Sequence, residues 1–189
     1  MRLFQPVRFE GDSPIEPLRT PRYDPVSTPN RGIALAKKPY EERTDLEKIQ
    51  SQWHKLSGLH TREEWSAAIV RAATAAEIAA NYAIRIEFRA RSEFDAAFVD
   101  SLLRWANGLA GKLDRLLMPL SAGDKHKHAQ MKQLCTIAAI INKKRNAIAH
   151  QGEFCNEQEA IDVIAKTNDF ITSLVRIYKE DFVLKERPA

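Results

Sequence analysis

The distribution of proline constrains the fold of this 189-residue chain more than any other feature. Seven of the nine prolines lie in the first 43 residues, and Pro119 alone interrupts the stretch from 44 to 187. Proline has no amide N–H and holds the preceding residue in extended conformations, so a long helix cannot form before residue 44. We therefore predict an extended proline-rich arm over residues 1–43 and a folded domain over residues 44–189. Because the arm also carries many large apolar side chains, we expect it to dock on a protein surface.

Five helices are predicted after the arm. Four of them begin at capping boxes, in which an N-cap side chain and an acidic side chain three residues later satisfy each other's backbone amides: Thr44–Glu47, Thr61–Glu64, Ser92–Asp95 and Asn156–Glu159. Gly58, Pro119 and Gly152 are interpreted as helix stops. The predicted helices cover about 44–58, 61–91, 92–119, 128–149 and 156–183.

The spacing of apolar residues in these segments alternates between three and four. Such spacing gives each helix one buried stripe, and it leaves no alternating strand pattern in the domain. Long helices joined by short loops indicate an all-α fold, an antiparallel bundle of four to five helices. The three tryptophans fall in the stripes, so we predict that Trp53, Trp65 and Trp105 are buried. Glu77, within an alanine-rich helix, is predicted to face solvent.

Several classes of protein lack support in the sequence. No apolar stretch is long enough to span a membrane, and the N-terminus has no signal-peptide core. The two cysteines do not suggest disulfides, so a reducing, cytoplasmic setting is expected. We find no phosphate-binding glycine loop, zinc-protease motif or nucleophile elbow, and we predict neither a metal nor a cofactor. The pair His126 and His128 is a weak metal-site candidate, interpreted as part of a solvated loop.

The residues that carry chemistry lie at the end of the fourth predicted helix. The hexapeptide there reads Arg145-Asn146-Ala147-Ile148-Ala149-His150, and Gly152 follows it. At about 100° per residue, Asn146 and His150 share one face of the helix. The segment from 120 to 152 holds one acidic residue against six basic ones, which favours a phosphate-bearing partner. Besides Arg145, we assign RNA- or phosphate-binding roles to its five lysines: Lys125, Lys127, Lys132, Lys143 and Lys144.

The pattern formed by Arg145, Asn146 and His150 resembles the signature of the HEPN superfamily, Arg-Asn-x-x-x-His near a helix end. The resemblance extends in outline over residues 44–184 and leaves out the arm. It implies a helical bundle that dimerises with its motif helices facing each other. It also implies an endoribonuclease that needs no metal, of the kind found in toxin–antitoxin and antiviral systems, restrained by an antitoxin or another regulatory protein. Other members have lost catalysis and bind RNA, a nucleotide or a partner protein.

The residue types fit RNA cleavage without reference to the family. The 2′-hydroxyl of RNA can act as the nucleophile, His150 can transfer protons, and the Arg145 guanidinium can bind phosphate oxygens. Asn146 can bind the phosphate or orient His150. Arg145 and His150 point about 140° apart on an ideal helix, so we expect one chain to supply half a site and a homodimer to complete it. The alternatives are an inactive binding module and a purely structural helical domain.

Overall fold

The computed structural model describes residues 38–61, 63–91, 94–106 and 108–186. All of them belong to the second of two units into which the chain divides, Lys38–Ala189. The predicted arm lies outside the described residues as far as residue 37, and so does its expected docking. Residues 38–43, which we assigned to the arm, form a turn against the first helix. Tyr40 there accepts a hydrogen bond from Gln52 (3.0 Å), and Arg43 donates one to Ser51 (2.9 Å).

The described part of the chain is all-helical, as predicted. Its helices are α1 (Asp45–Thr61), α2 (Trp65–Arg91), α3 (Ala96–Trp105), α4 (Gly108–Lys112), α5 (Met118–Ser121), α6 (Lys125–Gln151) and α7 (Glu157–Arg176). A π-helical turn, Leu113–Leu117, joins α4 to α5. Among these helices, none is long and apolar enough to cross a membrane.

The bundle is built around α2, which packs against α1, α4, α6 and α7. Seven of its alanines are fully inaccessible and lie on one broad face of the helix: Ala68, Ala72, Ala75, Ala76, Ala79, Ala80 and Ala83. Small side chains on that face let the neighbouring helices approach closely, which is consistent with the central position of α2.

Three long-range contacts give the directions of α6 and α7. Lys127, at the start of α6, pairs with Glu87 near the end of α2. Cys155, just after α6, donates its backbone N–H to Ser66 at the start of α2 (3.1 Å). Tyr178, just after α7, donates its hydroxyl hydrogen to Glu87 (2.7 Å). α6 is therefore antiparallel to α2, and α7 is parallel to α2.

Two helix starts are confirmed by their caps. Thr44 and Glu47 exchange hydrogen bonds of 2.7 and 3.2 Å at the start of α1. Asn156 and Glu159 form the predicted capping box at the start of α7. The predicted end of the last helix is wrong, because α7 stops at Arg176 and the chain turns back to bury Phe182.

The predicted boundary between the first two helices is wrong. α1 continues through Gly58 to Thr61, and α2 begins at Trp65, where the carbonyl of Glu64 accepts the first helical bond, from Ala68 (2.9 Å). Glycine ends a helix where it adopts a positive φ, and Gly58 does not. The positive φ falls instead on Glu63, at 60°.

The predicted third helix is divided into several elements. Asp95 caps α3 by accepting from the backbone N–H of Phe98 (2.7 Å), and Ser92, the predicted cap, lies outside the described residues. Gly108, with φ 73°, begins a new helix with a change of direction. Pro119, which we predicted to end a helix, does not do so. It lies in the first turn of α5, where a proline's missing N–H is not needed.

Because the predicted third helix is divided, its aromatic residues are less buried than expected. As a separate short helix, α3 buries Val99 and Leu103. We predicted a single buried stripe along residues 92–119, but this segment is not one continuous helix. Three aromatic residues of that stripe are exposed: Phe94 (57%), Phe98 (44%) and Trp105 (65%).

The other tryptophans and Glu77 complete the comparison with the predicted core. Trp53 is buried, and Trp65 is partly buried against a small cluster around Ile69. Glu77 is not simply solvated, because the buried Lys112 donates a hydrogen bond of 2.5 Å to it.

Candidate functional site

The motif helix ends where the sequence predicts. Gly152 has φ 68°, and the backbone N–H of Glu153 donates to the carbonyl of Ala147 (3.1 Å). A left-handed glycine with such a hydrogen bond satisfies carbonyls that would otherwise lack partners at a helix end. The stop leaves His150 exposed in the last turn of α6, while Arg145 and Asn146 are partly buried one turn earlier.

The three motif residues meet at a single atom. Nη1 of Arg145 lies 3.0 Å from Oδ1 of Asn146 and 3.1 Å from Nε2 of His150. Our expectation that Arg145 and His150 stay apart in one chain is therefore wrong. The angle of 140° describes the directions in which the side chains leave the helix. The long arginine side chain can lie along the helix axis and carry its guanidinium to the next turn.

The Arg145–His150 contact can be a hydrogen bond in one tautomer of the imidazole. A guanidinium has hydrogen-bond donors and no acceptor, so Nε2 must then carry no proton and the ring hydrogen must be on Nδ1. In that tautomer the Nε2 lone pair, which a general base would use, faces Arg145, while the same guanidinium donates to Asn146.

Lys144 ties the motif helix to α7. Its ammonium group pairs with Glu153 and, at 3.1 Å, with Glu159, and its side chain is 16% exposed. The hydrogen bond to Glu153 and the charges of both carboxylates raise the pKa of Lys144. Neither ion pair was predicted from the sequence, because Glu153 follows the helix stop without a motif and Glu159 was interpreted only as part of the capping box. Lys144 therefore holds the end of α6 in place, while the neighbouring Lys143 stays exposed.

The remaining lysines that we assigned to RNA lie far from the motif. Lys125 and Lys127 occupy the first turn of α6, which begins in a segment predicted to be a loop, with Asp124 as its N-cap. Eighteen residues of helix separate Lys127 from Arg145, or about 27 Å. Lys127 is also engaged with Glu87 and lies over the ring of Tyr178 (4.5 Å). Lys132 is exposed, about 20 Å from Arg145 along the helix.

An open groove of about 570 Å³ runs between α6 and α7. Its walls combine apolar and charged side chains: Ile140, Lys143, Lys144, Ala147, Glu153, Glu159, Asp162 and Val163. Arg145, Asn146 and His150 do not line it. His150 is exposed, so a long polymer can reach this edge of the motif cluster from solvent.

No protein-family model, curated protein or solved structure matches the chain. In the described ranges, no three histidine, cysteine or acidic side chains come close enough together to hold a metal ion. The features that indicate a function are therefore the geometry around Arg145 and the chemistry of its neighbours.

Proposed function

We propose that this protein is an endoribonuclease of the HEPN type that cleaves RNA through the 2′-hydroxyl without a metal ion. The observation that carries the proposal is the meeting of Asn146 and His150 at one nitrogen of Arg145. A phosphate-binding group, a proton-transfer group and an orienting amide are thereby assembled on an exposed helix end.

The contact suggests how substrate binding activates the site. A phosphodiester offers the Arg145 guanidinium a charged acceptor, which binds it more strongly than a neutral imidazole does. When the guanidinium turns to the phosphate, Nε2 of His150 is released as a base for the 2′-hydroxyl proton. The 2′-oxygen attacks phosphorus, the bond to the 5′-oxygen breaks, and a second, protonated histidine gives its proton to that leaving oxygen. The products are a 2′,3′-cyclic phosphate and a 5′-hydroxyl.

A homodimer remains part of the proposal, because the reaction needs two proton-transfer groups. The reaction needs a base for the 2′-hydroxyl and an acid for the leaving oxygen, and within one chain the described residues bring a single histidine to the cluster. Lys132, Ala139, Lys143 and His150 are exposed on one side of α6. A second α6 facing this side would supply the second histidine. We further propose a toxin or antiviral-defence role, with an antitoxin or other regulatory protein as partner.

The direct test is RNA cleavage in the presence of EDTA. We expect the wild type to cut RNA and to leave DNA of the same sequence intact, because DNA lacks the 2′-hydroxyl. We expect His150→Ala and Arg145→Ala to lose about 10²- to 10⁴-fold in rate while circular dichroism shows an unchanged fold. Arg145→Lys keeps the charge and loses the planar donor fork, so it should also be impaired.

His126→Ala is the matched control, since His126 is exposed in the first turn of the same helix. It should cut at the wild-type rate. Undiminished cutting by both His150→Ala and Arg145→Ala would assign the activity to another site or to a contaminant.

The second candidate is a catalytically inactive HEPN module that binds RNA, a nucleotide or a protein partner. The occupied lone pair of His150 favours it, because a histidine that stays bound to Arg145 cannot accept a proton. RNA binding that Arg145→Ala weakens, with no cleavage at any protein concentration, would support this candidate over the nuclease.

A further inference from the structure

Trp105 is the most exposed large apolar side chain within the helices, and outside them Phe154, just after α6, is more exposed. Trp105 ends α3 with 65% of its surface accessible, although a tryptophan ordinarily buries much of its ring. The guanidinium of Arg115 lies 5.8 Å from the ring centroid, within range of a cation–π contact. Such a contact restrains the ring while much of it stays open to solvent.

The surroundings of the ring are basic. Arg104, next to Trp105 in the chain, and Arg115 are both exposed. The acidic neighbour on the same π-helical turn, Asp114, interacts with Cys135 of α6. Two exposed guanidinium groups beside an open aromatic ring are complementary to a base attached to a phosphate backbone.

The start of α4, just after Trp105 in the chain, contacts the motif helix. A Cβ added to Gly108 would lie 3.3 Å from Oδ1 of Asn142. Asn142 is one helical turn before Asn146, about 6 Å along the axis and about 40° around it. Trp105 precedes Gly108 by three residues, so at most about 11 Å of chain separates them.

We infer that Trp105 and Arg115 form a platform on which an unpaired RNA base stacks, at a distance from the cluster of Arg145, Asn146 and His150 that the same RNA strand can span. The inference deepens the proposed function and rests on it, because it adds single-stranded RNA as the substrate class and a subsite for a nucleotide away from the scissile phosphate. Stacking tolerates any base, so the platform selects unpaired RNA over duplex without reading a sequence.

The test measures the affinity of inactive full-length protein, His150→Ala, for a single-stranded RNA oligonucleotide. Adding Trp105→Ala should weaken binding by about 5- to 150-fold, the range expected for one lost base–aromatic stack. Trp105→Phe keeps a ring and should bind within a few-fold of the parent. Phe98→Ala, which removes another exposed aromatic from α3, is the matched control and should bind like the parent.

Tryptophan fluorescence gives a second readout. Trp53 is buried and Trp65 is partly buried, so a base stacking on the exposed Trp105 should quench the emission. The quenching should disappear in Trp105→Phe although the RNA still binds. A duplex RNA of equal length should neither quench the emission nor respond to Trp105→Ala.

Each outcome separates this inference from the nuclease proposal. RNA binding that depends on Trp105 in a wild type that cuts nothing would support the platform and overturn the nuclease. Cleavage by the wild type with equal affinity in Trp105→Ala and its parent would overturn the platform alone. Absence of RNA binding would overturn both and leave the exposed ring to a protein partner.

Discussion

Glu87 is a charged side chain inside the bundle, in the last turns of α2, with 4% of its surface exposed. It accepts hydrogen bonds from Tyr178 (2.7 Å), Arg91 (2.9 Å) and Lys127. Burial works to raise the pKa of Glu87, but the bonds from Lys127 and Tyr178 outweigh it, and the net pKa is lowered. Burial and the bond to Glu87 raise the pKa of Tyr178. This carboxylate therefore joins α2, the start of α6 and the segment after α7.

Glu87→Gln tests the contribution of this charge to stability. We expect the free energy of unfolding to fall by roughly 2–4 kcal/mol at pH 7, because a partly buried lysine and a buried hydroxyl lose their charged acceptor. The folded-state pKa lies below the unfolded value of about 4.3. The stabilisation is therefore present above that value and is lost as pH falls through the folded value.

Urea unfolding at pH 7 and at pH 3 measures the effect. The difference between wild type and variant should be large at pH 7 and should shrink at pH 3. Glu180→Gln, a change at an exposed position, should stay within about 0.5 kcal/mol of the wild type at both values. An equal loss at both pH values would show that the charge of Glu87 is not the cause.

At the scale of the element, α6 is the helix that carries the motif, and both of its ends are set by local contacts. Asp124 caps its start by accepting from the backbone N–H of Lys127 (3.0 Å), and Gly152 ends it in the left-handed region. Lys144 adds ion pairs to the loop and to α7. Because His150 precedes Gly152 by two residues, the geometry of the helix stop also positions the histidine.

Gly152→Ala should lower the free energy of unfolding by about 1 kcal/mol, because φ 68° is unfavourable for a residue with a Cβ. Thermal unfolding should show a midpoint about 2–4 °C lower. Gly123→Ala is the matched control, since nothing lies within 4 Å of a Cβ at either position and Gly123 has no positive φ. If both variants unfold alike, the backbone conformation of Gly152 is not the cause of the loss.

For the molecule as a whole, the proposed activity requires two chains. Ala139 lies on the exposed side of α6, about 20° around the helix from both Asn146 and His150. A second motif helix approaching this side would pack against a small side chain. A long charged one at the same position would keep the two helices apart.

Ala139→Arg should therefore convert a dimer into a monomer of 21.5 kDa and abolish cleavage, although the added charge is favourable for RNA. Analytical ultracentrifugation and the cleavage assay measure the two effects. Ala165→Arg, at an exposed alanine of α7, should change neither. Cleavage by a monomer, whether of the wild type or of Ala139→Arg, would show that the mechanism does not need a second histidine.

Features that depend on neighbours in the chain could be predicted from the sequence alone. The capping boxes at Thr44 and Asn156 and the stop at Gly152 involve residues a few positions apart, so their hydrogen bonds form wherever the helix forms. The all-α class and the position of the motif at a helix end follow from the same local patterns.

Only the tertiary structure decided which side chains meet across the bundle. Lys127, which we assigned to RNA, pairs with Glu87, a contact between residues forty positions apart that the sequence did not indicate. Trp105 was assigned to the core and is exposed, because the chain changes direction at Gly108. Arg145 reaches His150 through the conformation of a long side chain, which a helical projection does not describe. Local hydrogen bonding determines the helices, whereas burial, ion pairs and side-chain reach depend on what the rest of the fold places beside them.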